Sequence, residues 1–462
     1  AVYNGEREAF VFGSLGLIAA LFGASFLSMG KGRRRHVDTI DAAGNLCLLW
    51  LTGALWGMLP FYTSGCLGFT ESFFESASFI TTTGVSLIGD DDGQGWSGSS
   101  STPASVLFFR TLLGYGGGLF FLMMLVTLMP VASGCFGISL AFRRGFMFSS
   151  MENNMERLAK QVAITYVLLT VLSALLFILA GLSPWQGLVM AMLTVSTTGV
   201  DPLGCLAQGN HWLKLAAAIT MALCVGNILR YFRTFRMRDW RDYYQNPETR
   251  LFYFLLVGGS LGVTLHLFFS TDLSIEESFF YGSFQMLSFA STTGTDAGNA
   301  EQFPNMALFL FCVGAFFGGS IGSVTGGLKL TRVMVLFGLL RAEVRRTLHP
   351  RMMTSVMLGD RPVPTLVAGR ILAFLFLYMA CLLLETLTLS LSGVSMAEAV
   401  GMSIACFTTL GHTLGLADGA LFGNIHPLAQ VAAGLFMLVA RMEIFAVLVL
   451  CFSFFEDQKK DW

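Results

Sequence analysis

Charge is scarce in this chain. Lys, Arg, Asp and Glu make up 12% of its 462 residues, about half the share of an ordinary soluble domain. That scarcity excludes a water-soluble globular fold. Nine cysteines occur, but with no CxxC pair or metal-ligand spacing, which excludes a thiolate zinc site. Cys47, Cys224, Cys312, Cys381 and Cys451 sit inside apolar runs, as small buried hydrophobes do. The chain also lacks a phosphate loop, an HExxH pair and a nucleophile elbow, so it reads as a non-enzyme. Its net charge is −1 with no separate basic domain, so nucleic acid is not an expected partner. No basic segment precedes the first apolar run, Phe10 to Met29, which is therefore no signal peptide. The chain opens on Ala1 rather than Met, and residues preceding Ala1 are expected.

What is present is apolar. Hydrophobic residues make up 54% of the chain and the mean hydropathy is +0.67. Runs of about 20 apolar residues recur, the length that crosses a bilayer. Basic clusters (Lys31 to His36, Arg143-Arg144 with Arg157 and Lys160, Arg230 to Arg250, Arg341 to Arg351, Lys459-Lys460) alternate with neutral or acidic loops: Asp90-Asp91-Asp92 and those after Asp201, Asp296 and Asp418. This alternation predicts a multi-pass protein of the cell's plasma (inner) membrane with its basic loops and C-terminus in the cytoplasm.

Four polar, glycine-bearing turns interrupt the apolar sequence: Thr81-Thr82-Thr83-Gly84-Val85, Ser196-Thr197-Thr198-Gly199-Val200, Ser291-Thr292-Thr293-Gly294-Thr295 and Phe407-Thr408-Thr409-Leu410-Gly411. Each follows a short helical segment (Thr70 to Ile80, Pro184 to Leu193, Ser274 to Phe289, Ser395 to Cys406) and lies between two longer ones. The outer segments are Asn45 to Tyr62, Gln161 to Ala180, Leu251 to Phe269 and Thr365 to Leu391. The second spanning segments are Pro103 to Ala132, His211 to Arg230, Pro304 to Leu340 and Pro427 to Phe455. The predicted fold is an all-α integral membrane protein. It has a leading helix and basic loop (1–40), then four helix, re-entrant helix, helix repeats (41–142, 143–240, 241–350, 351–462) around a pseudo-four-fold pore. Thr70 with Ser72, Ser183 before Pro184, Ser274 with Glu277 and Ser395 with Glu398 have the pattern of N-caps for the short helices.

Glycine at each turn lets successive carbonyls face one axis, as a cation-stripping ring requires. The candidate ion contacts are Thr82, Thr83, Gly84 and Val85; Thr197, Thr198, Gly199 and Val200; Thr292, Thr293, Gly294 and Thr295; and Thr408, Thr409, Leu410 and Gly411, with the cation at the four glycines. The plainer reading is a set of Gly-Thr helix breaks without an ion. Asp201 and Asp296, two residues beyond their glycines, are candidates for a negative outer mouth, or plain loop charges. Gly318, Gly319, Gly322, Gly326 and Gly327 cannot stay helical at about 1 kcal/mol each relative to Ala. With Thr325 they predict a movable barrier inside the third repeat, and no such break elsewhere, Gly114 to Gly118 after Arg110 being a softer version of the theme. Lys329 and Arg441 lie within spans, where a charge faces water or a partner. Arg441 and Glu443, two apart, are expected on different helix faces. His412 is either a titrating group at the mouth or a loop histidine.

Phe73-Phe74-Glu75-Ser76 leading into the first turn, the 318–329 loop, Arg345-Arg346 with His349-Pro350, and Arg441-Met442-Glu443-Ile444-Phe445 resemble the Trk/Ktr/HKT superfamily of potassium and sodium translocating subunits, TrkH type, over essentially the whole chain. The resemblance implies that Gly84, Gly199, Gly294 and Gly411 line a filter holding a potassium ion, with no covalent cofactor. It also implies that residues 318–327 form an intramembrane gate reached by Arg441, and that the lipid-embedded protein is a homodimer seated on a cytosolic nucleotide-binding regulatory (TrkA-like) ring. Here Val-Asp, Thr-Asp and His-Thr follow the second, third and fourth glycines, a departure from the family pattern. That departure leaves open a sodium-preferring pore or a non-conducting scaffold subunit beside potassium uptake.

Overall fold

The computed structural model describes residues 8–30, 39–88, 103–127, 155–201, 204–206, 211–237, 240–296, 303–351, 355–358, 361–411 and 419–460. The expectations for Asp90 to Asp92, His412, Asp418, Lys31 to His36 and Arg143-Arg144 lie outside the described residues. Helix α1 (Glu8–Gly30) leads. The first repeat is α2 (Thr39–Thr63), α3 (Phe69–Ile80) and α4 (Ala104–Thr127). The second is α5 (Met155–Leu179), α6 (Pro184–Val195) and α7 (His211–Val225), continued by α8 (Ile228–Met237) and α9 (Trp240–Gln245). The third is α10 (Pro247–Ser270), α11 (Ile275–Ala290), α12 (Asn305–Phe317) and α13 (Leu330–Leu348). A small antiparallel hairpin, β1 (Val356–Leu358) with β2 (Arg361–Val363), separates it from the fourth: α14 (Thr365–Ser390), α15 (Met396–Phe407), α16 (Gly419–Asn424), α17 (Pro427–Met442) and α18 (Ile444–Lys460).

Among the described residues five helices are long and apolar enough to cross a membrane, or six if α17 and α18 count as one bent span. Their outer faces carry large exposed apolar side chains such as Phe254, Phe269, Phe376 and Leu383, as a lipid-facing surface does. The short helices α3, α6, α11 and α15 lie inside and are buried over most of their length. Capping boxes start three of them. Ser183, Ser274 and Ser395 accept from the N–H three residues on, while Gln186, Glu277 and Glu398 reach back to the cap N–H. The Ser274 and Ser395 hydrogen bonds hold the Glu277 and Glu398 carboxyls below the usual carboxylate range. The first short helix departs from expectation: its cap is Gly68, whose N–H donates to Glu71 at 2.8 Å, not Thr70 with Ser72.

The second spanning segments differ more. Only in the first repeat is this segment one helix through its described length. Gly114 to Gly118 do not break α4; they let α3 approach, and a methyl at Gly117 would lie 2.0 Å from the Ile80 carbonyl oxygen. In the second repeat the helix stops at Val225 and restarts at Ile228, so His211 to Arg230 is not continuous. In the third it stops at Phe317 and restarts at Leu330. In the fourth, Pro427 to Phe455 bends by 100° at Glu443, whose φ of 70° cannot continue a right-handed helix. The break expected in the third repeat alone occurs in three of the four.

Gly117→Ala is expected to force α3 away from α4 and to cost about 1–3 kcal/mol through overpacking. Thermal unfolding in detergent measures it, and the outward-facing variant Gly116→Ala, with open space at its Cβ, should melt like the wild type.

Candidate functional site

Each short helix ends in the same way. In the first repeat the Thr82 N–H returns to the Phe79 carbonyl at 2.9 Å and the Thr83 N–H to the Ser78 carbonyl at 2.8 Å, with Gly84 N–H also reaching Ser78. These are the paired bonds of a Schellman termination, and they recur at Thr197 and Thr198, Thr292 and Thr293, and Thr409 and Leu410. The motif needs a residue in the left-handed region, normally Gly. Here it is Thr82, Thr197, Thr292 and Thr409, with φ of 59°, 57°, 52° and 54°. A β-branched residue there is strained by about 1–3 kcal/mol. Two residues later Gly84, Gly199, Gly294 and Gly411 are again left-handed, with φ from 70° to 84°.

This geometry sends the amide hydrogens back into the helices. Among the described residues no hydrogen bond is accepted by the carbonyls of 82–84, 197–199, 292–294 or 409–411. The turns also abut in a cycle. A methyl at Gly84 would lie 1.8 Å from the Thr198 carbonyl oxygen, one at Gly199 would lie 1.3 Å from that of Thr293, and one at Gly411 2.3 Å from that of Thr83. Leu410 packs in the third repeat's cluster with Phe289 and Phe311, which closes the circle. Thus the four turns that carry the sixteen expected contact residues, from Thr82 to Gly411, meet where the C-terminal ends of four helix dipoles converge, and the carbonyls of 82–84, 197–199, 292–294 and 409–411 are left unengaged there, while those of Val85 and Thr295 are taken. The negative ends and the free oxygens both favour a cation.

Side chains hold the ring. Thr81 and Thr83, Ser196 and Thr198, and Ser291 and Thr293 pair their hydroxyls at 2.9, 2.7 and 2.8 Å. Leu410 breaks this pattern in the fourth turn. Ser78 and Ser288 donate to the Val85 and Thr295 carbonyls. Behind the first turn, Glu75 accepts from the Ser86 hydroxyl at 2.6 Å and the Leu87 N–H at 2.7 Å, and buried Arg110 donates to Ser86 at 2.7 Å, 3.9 Å from the carboxylate and over the Phe79 ring. Arg110 therefore braces the outer end of the first turn. Asp201 is likewise engaged: its carboxylate accepts from the Cys205 and Leu206 N–H groups, at 3.1 and 2.6 Å. Burial, then the Asp201 charge, push the Cys205 thiol up to about 11, so it is inert at neutral pH. Asp296 is near enough to Lys214 for their charges to interact.

Arg441 and the glycine loop both reach the ring. Arg441 donates to the Thr82 hydroxyl at 2.6 Å and lies 4.1 Å over the Phe121 ring. Arg441 thus bonds the first turn while it shares the Phe121 ring with Lys329 of the glycine loop. The loop meets the ring at Gly326, whose N–H donates to the Thr292 hydroxyl at 2.9 Å and where a methyl would lie 2.2 Å from the Thr409 hydroxyl. Among the described residues the buried hydroxyls of Thr197 and Thr409 have no partner. Inside the loop, Lys329 donates to the Thr325 carbonyl and hydroxyl, and Thr325 pairs with Ser323 at 2.6 Å. Gly318, Gly322 and Gly327 take left-handed φ, and every residue from 318 to 326 is buried. Across the break at 443, Glu443 pairs with Arg332, which stacks 3.8 Å over Phe374. Arg441 and Glu443 lie on either side of a helix break, so a bend of the backbone as well as helix face separates them.

Three contributors escaped the sequence reading. Asn227 and Glu248 both hold the loop, and Phe121 lies under both Arg441 and Lys329. Only a buried acid so near a helix start, Glu248 after Asn246-Pro247, was a legible signal.

A four-repeat, all-α fold whose short helices converge on one ring of backbone oxygens defines a membrane protein of the cation-transport class. The chain belongs to the TrkH family of cation transport proteins, whose model matches residues 50–460. The Trk system potassium uptake protein TrkH of Halomonas elongata is 27% identical over 456 residues, 97% of this chain and 92% of the relative. Its counterpart in Escherichia coli K12 is 29% identical over 418 residues, 87% of this chain and 83% of the relative. The crystal structure of the potassium transporter TrkH from Vibrio parahaemolyticus superposes with a TM-score of 0.84 over 95% of this chain and 90% of that one, at 24% identity, a likeness of fold.

Arg110→Met should destabilise the protein by about 3–5 kcal/mol, since it strips a buried carboxylate of its cation. Denaturant unfolding in detergent measures this. Adding Glu75→Gln should recover part of the loss, and a single variant as stable as wild type would remove Arg110 from its bracing role.

Proposed function

We propose that the chain is the pore subunit of a potassium uptake system in the cell's inner membrane. The observation that carries this reading is the ring itself: four turns of one backbone shape, with Gly84, Gly199 and Gly411 each against a neighbouring turn's carbonyl, and carbonyls free to replace a cation's water shell. The names of the Halomonas and Escherichia relatives, both potassium uptake proteins, support potassium as the cargo. The residues present fit such an ion, because the donor set is neutral oxygen and a small cage of backbone carbonyls suits a monovalent cation.

In this reading the ion enters from the side bearing Asp201 and Asp296, sheds water at Gly84, Gly199, Gly294 and Gly411, and passes inward past Arg441 and the 318–327 loop. The plugged arrangement is the closed state. Arg441 opposes a cation by charge and occupies one ring hydroxyl, while Gly326 occupies a second. The membrane potential drives uptake, and the basic segments face the cytoplasm, where a nucleotide-binding regulatory partner of a homodimer would act on the loop. "Trk system" in the relatives' names is consistent with more than one component.

Expression in a strain lacking potassium uptake should restore growth at low potassium; membrane insertion without rescue would overturn the reading in favour of a non-conducting scaffold. Gly84→Ser is expected to admit sodium by distorting the ring, read as the ratio of potassium to sodium influx, and a sodium preference in the wild type would replace the potassium assignment. Arg441→Ala should raise flux about tenfold or more, the loss of a close positive charge in a low-dielectric path. An unchanged rate would take Arg441 out of the gate.

A further inference from the structure

The segment joining the second and third repeats begins and ends at the same peptide. Asn227, at its start, donates its side-chain amide to the Ile321 carbonyl at 2.8 Å. Glu248, at its end, accepts the Ile321 N–H at 2.8 Å and the Thr331 hydroxyl at 2.6 Å on the same carboxylate oxygen. Both polar groups of one loop residue, at the centre of the glycine loop, are thus held by the two ends of a single connecting hairpin. Further bonds run alongside: Ser320 N–H and hydroxyl to the Val225 carbonyl at 3.3 and 2.9 Å, and Ile228 N–H to the Gly322 carbonyl at 3.2 Å.

Among the described residues of the hairpin, close contacts tie its two helices together. Asn227 also caps α8, its side-chain oxygen accepting the Arg230 N–H at 3.3 Å, so one side chain joins helix to loop. Tyr231 on α8 and Tyr243 on α9 are buried, stack at 5.5 Å and approach hydroxyl to hydroxyl at 3.3 Å. A methyl at Gly226 would lie 2.0 Å from the Tyr231 hydroxyl, so the junction itself is close-packed. At the far end Asn246 caps α10 two residues before Glu248, and Arg250 donates to the Tyr244 carbonyl at 3.1 Å.

We propose that the α8–α9 hairpin is the lever of the glycine loop: displacement of the hairpin moves Ile321 through Asn227 and Glu248, and with it Gly326 against the ring. As a statement about regulation it rests on the pore reading above; as a mechanical linkage it does not. A load on the basic hairpin, on the side that positive-inside charge places in the cytoplasm, then reaches the ring without any change in the turns themselves. Asn227 and Glu248 are positioning residues in this account, acting through the loop.

Asn227→Asp separates the two jobs of that side chain. It keeps an oxygen to cap α8 but replaces the donor with an acceptor facing the Ile321 carbonyl. Hydrogen exchange on the full-length protein in detergent micelles should show the amides of residues 319–324 exchanging about tenfold faster, the factor one ordinary hydrogen bond gives, with those of α17 unchanged. Glu248→Ala should do the same, and Glu248→Gln, which retains the accepting oxygen, should restore wild-type exchange. Loop exchange unchanged in Asn227→Asp and Glu248→Ala, or raised equally throughout the protein, would overturn the linkage. In liposomes the two loosening variants should also raise rubidium flux without altering the potassium to sodium ratio. If wild type, Arg441→Ala and both variants all fail to conduct, the pore reading falls while the exchange result alone judges the linkage. If Arg441→Ala raises flux and the loosening variants do not, the lever has no part in gating.

Discussion

The structure depends on one constraint: a backbone amide or carbonyl in an apolar surrounding must find a partner. Four short helices end inside the protein, where the residues that follow them are buried. The Schellman terminations at Thr82, Thr197, Thr292 and Thr409 answer the amide half of that demand by folding each N–H back onto its own helix. The carbonyl half is left open at one place, the ring. An arrangement that turns its backbone donors inward and leaves a circle of acceptors is stable in itself only when something positive faces it. Arg441 and the Gly326 N–H supply that from one side. The strain of four left-handed threonines is held by close neighbours: glycines that admit the next turn's carbonyl, paired hydroxyls, and Glu75 with Arg110 behind the first turn.

The same constraint explains why breaks in the spanning helices come coupled. A helix stopped in mid-membrane exposes its own end groups. The break after Val225 and the loop beginning at Gly318 satisfy one another, Val225 accepting from Ser320 and Gly322 accepting from Ile228. The bend at Glu443 is joined to the restart at Leu330 through Glu443 and Arg332. Lys329 and Glu443, opening α13 and ending α17, adopt nearly one backbone conformation, φ 74° and ψ 130° against φ 70° and ψ 123°. Three breaks in four repeats thus form one connected polar layer beneath a more regular ring. The regular part is the ring of turns, and the irregular part is where Arg441 and the glycine loop meet it, each supplied by one repeat and so not repeated four times.

The fold was open to the eye in the sequence because its causes are local. Apolar length decides that a segment spans, Ser with Glu or Gln three residues on starts α6, α11 and α15, and a hydroxyl pair with a glycine directly after it, or after Leu410 in the fourth turn, marks where each short helix must end. Residues 318–327 were legible for the same reason, since five glycines in ten positions cannot be helix. The caps show the limit: Gly68 has no side chain to read, and the cap was misplaced at Thr70.

Other features are not local and could not be read so. Left-handed φ at Thr82 and its three counterparts runs against the preference of a β-branched residue, and only packing against the neighbouring turns overrules it. Asn227 and Glu248 lie 94 and 73 positions from Ile321, and Arg441 lies 359 from Thr82. No spacing rule links such pairs. By itself the sequence determined the membrane class, the four repeats and the chemistry of the turns, because hydrophobicity, capping and glycine conformation act over a few residues. Which hydroxyl Arg441 takes, where α17 bends and what holds the glycine loop were decided only by the tertiary structure. In an apolar interior each polar group must take whatever partner the fold brings near, however far off along the chain.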